Sequence, residues 1–196
     1  MCLCLQRQGE CLAYNGRGNV YSDKGDNDNA FKDFNEAIKL DPKFALAYSN
    51  RGLVYRDKGD NDNAFKDFNE AIKLDPKLAL AYSNRGLIYR DKGDNDNALK
   101  DFNEAIKLDP KYAYAYNRGL VYLGKGDNDN ALKDFNEAIK LAPKLANAYH
   151  TRGLLYKKMG DQEKAIADFQ TALLYCGAGT LSCELPQNRL NILQKK

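Results

Sequence analysis

The stretch Ala45–Leu78, ALAYSNRGLVYRDKGDNDNAFKDFNEAIKLDPKL, is followed at once by Ala79–Tyr112, ALAYSNRGLIYRDKGDNDNALKDFNEAIKLDPKY. Both stretches are 34 residues long and they differ only at Val54/Ile88, Phe65/Leu99 and Leu78/Tyr112. Working outward, related blocks occupy 11–44, 113–145 and 146–179, which leaves a head at 1–10 and a tail at 180–196. Self-similarity at a fixed period of 20–50 residues marks a repeat architecture. Within a block, Ala47, Tyr48, Gly52 and Tyr55 recur at three- and four-residue steps, and Ala64, Phe68, Ala71, Ile72 and Leu74 do so again after an Asp-Lys-Gly-Asp break. Each block therefore reads as two amphipathic helices. Gly59 is placed to end the first, since glycine takes the left-handed position after a helix without steric cost, and Asp60 to cap the second. Asp62 suits the positive end of the second helix, and Pro76 prevents that helix from running into the next block. One such pair cannot bury its apolar face alone, so successive pairs must stack around a shared core. The fold class expected is all-α, an α-solenoid.

The residues carry a family resemblance at this point. Tyr48, Gly52, Tyr55, Ala64, Phe68, Ala71 and Pro76 fall at the aromatic, glycine, tyrosine, alanine, aromatic, alanine and proline slots of the tetratricopeptide repeat (TPR), and Gly18, Gly52, Gly86, Gly119 and Gly153 share one slot. The sequence resembles that family over five successive blocks, and the resemblance implies a right-handed solenoid of five helix-turn-helix repeats. It departs from the pattern twice. The fourth block is one residue short, and Cys176 stands where the fifth should have its proline. In the tail, Pro186 followed by Leu190, Ile192 and Leu193 reads as a capping helix that closes the last block.

Composition removes several classes of function. Thirty Lys and Arg against 27 Asp and Glu leave a net charge of +3, with the two signs closely interspersed, so no basic stripe for nucleic acid is present. No apolar run approaches the roughly 18 residues of a membrane span, and the first ten residues do not read as a secretory leader. The five cysteines are odd in number and sit at the two ends, which argues against a disulfide framework and for a reducing, cytoplasmic setting. Cys2, Cys4 and Cys11 lack a fourth zinc ligand, Cys176 and Cys183 offer a local bridge, and Cys2 and Cys4 would engage a membrane only if lipidated. Asp26-Asn27-Asp28-Asn29 and its copies fail as calcium loops because Ala30 and Phe31 occupy ligand and glycine places. The single histidine, His150, reads as a surface residue, and no glycine array cradles phosphate. No catalytic set, metal or cofactor is indicated.

Each block also pairs an arginine with an aspartate 16 residues on: Arg17/Asp33, Arg51/Asp67, Arg85/Asp101, Arg118/Asp134 and Arg152/Asp168. In an antiparallel helix pair these are neighbours, and an ion pair within the block is the favoured reading over a ladder of ligand-binding arginines.

The resemblance places a groove along the first helices, with the second, fifth, sixth and ninth slots exposed. The second slot holds Leu46, Leu80 and Tyr114, and the ninth holds Leu53, Leu87 and Leu120, so the groove reads as apolar. Packing between blocks is the alternative for these leucines. Asn50, Asn84 and Asn117 form a ladder at the sixth slot, similar to the ladder in the solenoid of O-GlcNAc transferase, and the resemblance implies capture of an extended peptide by amides that both donate and accept. The competing reading has each asparagine bonding a neighbouring helix. The Lys and Arg places of the carboxylate clamp found in chaperone-binding members hold Asn15, Leu80 and Asn84, so no clamp is expected. If the short fourth block keeps a regular helix, residues before Arg118 turn by about 100° and Tyr116 swings into the groove beside Tyr112 and Tyr114. The resulting expectation is a non-catalytic scaffold or adaptor binding a segment of a partner protein. The alternatives are self-association through convex or terminal faces and a regulatory piece of a larger enzyme.

Overall fold

The computed structural model describes residues 2–176, and among these every regular element is a helix. In chain order they are α1 Cys2–Asp23, α2 Asn27–Leu40, α3 Ala45–Asp57, α4 Asn61–Leu74, α5 Ala79–Asp91, α6 Asn95–Leu108, α7 Tyr112–Gly124, α8 Asn128–Leu141, α9 Ala146–Lys158 and α10 Gln162–Tyr175. Odd and even helices pack as pairs, α1 on α2 through α9 on α10. The expected capping helix in the tail lies outside the described residues. The head does not stand apart from the first block, because α1 begins at Cys2 and runs through it without a break.

The turn within each pair is written in three residues. Gly25, Gly59, Gly93, Gly126 and Gly160 all have φ between 76° and 87°. At Gly59 this lets its N–H reach the carbonyl of Arg56 while the Asp60 N–H reaches that of Tyr55, the paired bonds that close a helix. Asp60 then serves a second helix, since its side chain accepts from the backbone N–H of Asn63 at 3.1 Å and from Asn63 Nδ2 at 2.7 Å. Asp26, Asp94, Asp127 and Asp161 open α2, α6, α8 and α10 in the same way.

Within a pair the close approach is made by glycine. A Cβ on Gly52 would lie 2.7 Å from Cε1 of Phe68, and one on Gly18, Gly119 or Gly153 would lie 2.6–2.9 Å from the equivalent atom of Phe34, Phe135 or Phe169. The bare backbone of the first helix is thus the socket for an aromatic ring of the second, and Phe34, Phe68, Phe102, Phe135 and Phe169 are all fully buried. Between pairs, Val54 rests on Ala30 and Phe34, Ile88 on Ala64 and Phe68, and Leu155 on Ala131 and Phe135.

All five arginine–aspartate pairs form, each as a two-pronged contact at 2.6–2.8 Å. Arg51, Arg85 and Arg152 also donate Nη1 to Asn35, Asn69 and Asn136 of the preceding block, so one guanidinium ties two blocks together. Arg51 lies between the rings of Tyr48 and Tyr55. The bond to Asp67 raises its pKa above the ordinary arginine value despite burial. The ion-pair reading therefore holds, and the pairs also serve as stitches between blocks.

The chain divides into two compact units, Met1–Asp109 and a second beginning at Pro110. The division falls at the shortened junction. The other first helices are preceded by an apolar residue, Phe44, Leu78 or Leu145, with ψ of 85–88°, whereas α7 is preceded by Lys111 with ψ 148°. The missing residue is that apolar one, so the shortage lies in the loop.

Candidate functional site

Because the loop absorbs the shortage, α7 keeps the register of the other first helices. Gly119 is its eighth residue, as Gly52 is in α3, and meets Phe135 as Gly52 meets Phe68. This corrects the expected 100° turn. Tyr114 takes the slot of the buried Ala47 and is itself only 5% exposed. Tyr116 takes the slot of Ser49, packs on Phe135 at a ring separation of 5.8 Å, and shares a hydrogen bond with the Thr151 hydroxyl at 3.1 Å. Both tyrosines are turned inward, away from the exposed position the sequence suggested. Ala115 fills the slot that Tyr48 occupies beside Arg51 in α3.

In the first unit α1, α3 and α5 lie side by side. Leu46 and Leu80 are exposed there, one repeat apart. The ninth-slot leucines behave differently. Leu53 packs against Ala64, Phe68 and Ile88, Leu120 against the cluster around Phe135, and Leu87 is half-buried. Of the two apolar rows, the second slot faces solvent and the ninth belongs mainly to the packing between blocks.

Asn50 is buried and donates its Nδ2 to Asn15 Oδ1 at 3.0 Å and to Asn19 Oδ1 at 2.9 Å. Asn84, also buried, donates to the Leu80 carbonyl at 2.9 Å and accepts from Arg56 Nη1 at 2.7 Å. These two amides are engaged within the protein. Asn117 is half-buried. Arg56 was not among the residues singled out from sequence. The signal for it was an arginine at the twelfth slot, 28 residues before the asparagine it binds.

His150 is half-buried and stacks near Phe169 at 5.8 Å, which corrects its reading as a surface residue. Cys11 is buried beside Ala37 and Ala47, and burial raises its thiol pKa. Cys176 is disulfide-bonded, and Cys183, its candidate partner, lies outside the described residues. Among the described residues no three His, Cys, Asp or Glu side chains converge as metal ligands, and no helix is long and apolar enough to cross a membrane.

This geometry of glycine sockets, paired helices and a 34-residue period defines a helical-repeat protein. A family model described as TPR repeat matches residues 18–57, 52–89 and 119–160, and two described as tetratricopeptide repeat match 79–112 and 146–176. The chain belongs to the tetratricopeptide repeat family, whose members are in general non-catalytic modules for protein interaction. The matches pass over 113–118, the start of the helix after the shortened junction. Among solved structures the chain is similar to MamA, at 28% identity and a TM-score of 0.70 over 81% of this chain and 93% of that one. It is similar in fold to pilF of Pseudomonas aeruginosa, at 21% identity and a TM-score of 0.87 over 97% and 86%. It is likewise similar in fold to YrrB, described as a TPR protein with an unusual peptide-binding site, at 21% identity and 0.69 over 91% and 90%. No curated protein matches the sequence.

Proposed function

We propose that the protein is a scaffold that holds an extended segment of a partner protein along the face where α1, α3 and α5 lie side by side. The observation that carries this reading is the pair Leu46 and Leu80, large apolar side chains left in water at the same slot of adjacent repeats. Exposed apolar side chains in a row mark interaction surfaces. The peptide-binding site described for YrrB, which shares this fold, supports the same class of ligand. On this reading the leucines supply the contact area. Asn50 and Asn84, held by their own hydrogen bonds, form the fixed floor beneath the peptide.

The test compares partners captured from cells by the wild-type chain and by Leu46→Glu/Leu80→Glu. Both side chains are exposed, so the variant keeps its helix content, checked by circular dichroism. Loss of a wild-type partner from the folded variant, with its retention by the exposed control Leu141→Glu, is the expected result. Equal recovery of every partner by all three proteins overturns the reading.

A further inference from the structure

Polar side chains between neighbouring first helices follow a rung pattern. Asn50 donates to Asn15, 35 residues back, and Tyr116 shares a hydrogen bond with Thr151, 35 residues on. Each rung joins the fifth slot of one block to the sixth slot of the next. Ser49 and Asn84 hold the same two slots in α3 and α5, yet the rung between them is not made. Asn84 instead accepts at Oδ1 from Nη1 of Arg56 at 2.7 Å, while its Nδ2 donates to the Leu80 carbonyl.

The Ser49 hydroxyl is left fully buried with no hydrogen-bond partner among the described residues. Thr171 shows the ordinary remedy for a hydroxyl on a helix, a 2.9 Å bond to the carbonyl one turn back, and Ser49 does not make it. A buried polar group left unpaired costs free energy. Ser49 therefore stands ready as a donor to Asn84 Oδ1 whenever Arg56 lets go.

Arg56 is held loosely. Arg51 and Arg85 each grip a buried aspartate in two prongs and an asparagine of the preceding block as well. Arg56 holds a neutral amide, and its carboxylate contact is the exposed Asp57 at 3.6 Å, the kind of surface pair that contributes little. Arg90, at the same slot of the next block, puts both Nε and Nη2 on its own neighbour Asp91. A partly exposed guanidinium that reaches the floor of the peptide face without a buried counter-ion suits a carboxylate arriving from solvent, because such charge-assisted bonds are about twice as strong as neutral ones. On the reading that Leu46 and Leu80 mark the peptide face, on which this rests, we infer that the bound segment carries an acidic side chain that draws Arg56 off Asn84, and that Ser49 takes its place. The bond from Asn84 to Leu80 stays, so the amide keeps its position and only the donor to its Oδ1 changes.

The exchange is tested first without ligand, by urea denaturation of the full chain. Ser49→Ala should raise the midpoint in the wild-type background, where it removes an unpaired hydroxyl and improves helix propensity. It should lower the midpoint in the Arg56→Ala background, where Asn84 depends on Ser49. Circular dichroism checks that each variant folds, and an equal shift in both backgrounds overturns the exchange. Recognition is tested by fluorescence anisotropy with two labelled synthetic peptides of alternating leucine and serine that differ only in a central glutamate or glutamine. Wild type should bind the glutamate peptide about tenfold more tightly, and Arg56→Ala should bind the two alike. Equal affinities in wild type overturn the inference, and release of both peptides by Leu46→Glu/Leu80→Glu would then leave the peptide face standing without it. A wild type that binds neither peptide overturns both.

Discussion

Gly16 and Gly52 sit in equivalent helices and should respond oppositely to the same methyl group. Gly52→Ala drives a Cβ to 2.7 Å from the Phe68 ring, which the close-packed pair can accept only by shifting. A loss of about 1–3 kcal/mol is expected in urea denaturation. Gly16→Ala meets open space and should gain about 0.5–1 kcal/mol. The arginines offer a graded comparison. The Arg51 side chain is 18% exposed and that of Arg17 59%, while each aspartate partner is buried. Arg51→Ala should cost more than Arg17→Ala in the same assay, since both strand an equally buried carboxylate but Arg51 is itself more buried and also binds Asn35 of the preceding block. The sequence announced the pairs through their 16-residue spacing, but not the second bond to the preceding block, because that contact depends on how neighbouring blocks are offset. Asn50 was legible as an inward-or-groove residue only. Its fate was decided by Asn15 and Asn19, which the repeat pattern does not single out.

At the scale of the helix, capping was the most legible feature because it is local. The Gly-Asp pair fixes a positive φ and a side-chain acceptor within two residues. It also makes stability depend on acid. Hydrogen bonds from Asn130 hold the Asp127 carboxyl below its usual pKa, those from Lys164 do the same for Asp161, and Lys58 and Lys92 do so for Asp28 and Asp62 across blocks. A carboxyl whose pKa is lower in the folded state contributes fully above its unfolded value, about 3.9, and loses that contribution as pH falls through the folded value. Helicity should therefore hold from neutral pH to about pH 4 and decline below it. Followed by circular dichroism, Asp127→Asn should show a smaller acid-induced loss than wild type. The first turn of α7 was not legible. Tyr112, Ala113, Tyr114, Ala115 and Tyr116 alternate with period two, so moving the shortage by one position exchanges every tyrosine for an alanine, and only the packing of Gly119 on Phe135 settles the register.

At the scale of the whole chain, a 34-residue period reads as one uniform array, and the sequence gives a single cue against that, the short fourth block. The structure places the boundary between its two compact units at that block's entrance. Four junctions carry an exposed lysine, at Lys43, Lys77, Lys111 and Lys144, and only Lys111 combines the unit boundary with an extended backbone. Limited trypsin digestion followed by mass spectrometry should cut first after Lys111. First cleavage after Lys43 or Lys77 would show that the boundary is no weaker than the other junctions.

The sockets at Gly52 and Gly86 have a consequence for how the chain finds its native order. Their surroundings are nearly the same, so during refolding the Gly52 backbone can accept Phe102 in place of Phe68. The two outcomes differ chiefly in the length of chain that must be looped out, a threefold difference that favours the local partner by only about 1 kcal/mol. Early in refolding a minority of molecules should therefore hold the wrong helix, correcting it by local opening. In concentrated solution the same ambiguity lets two unfolded chains exchange α4 for α6, leaving swapped, intertwined pairs that dilution alone is slow to release.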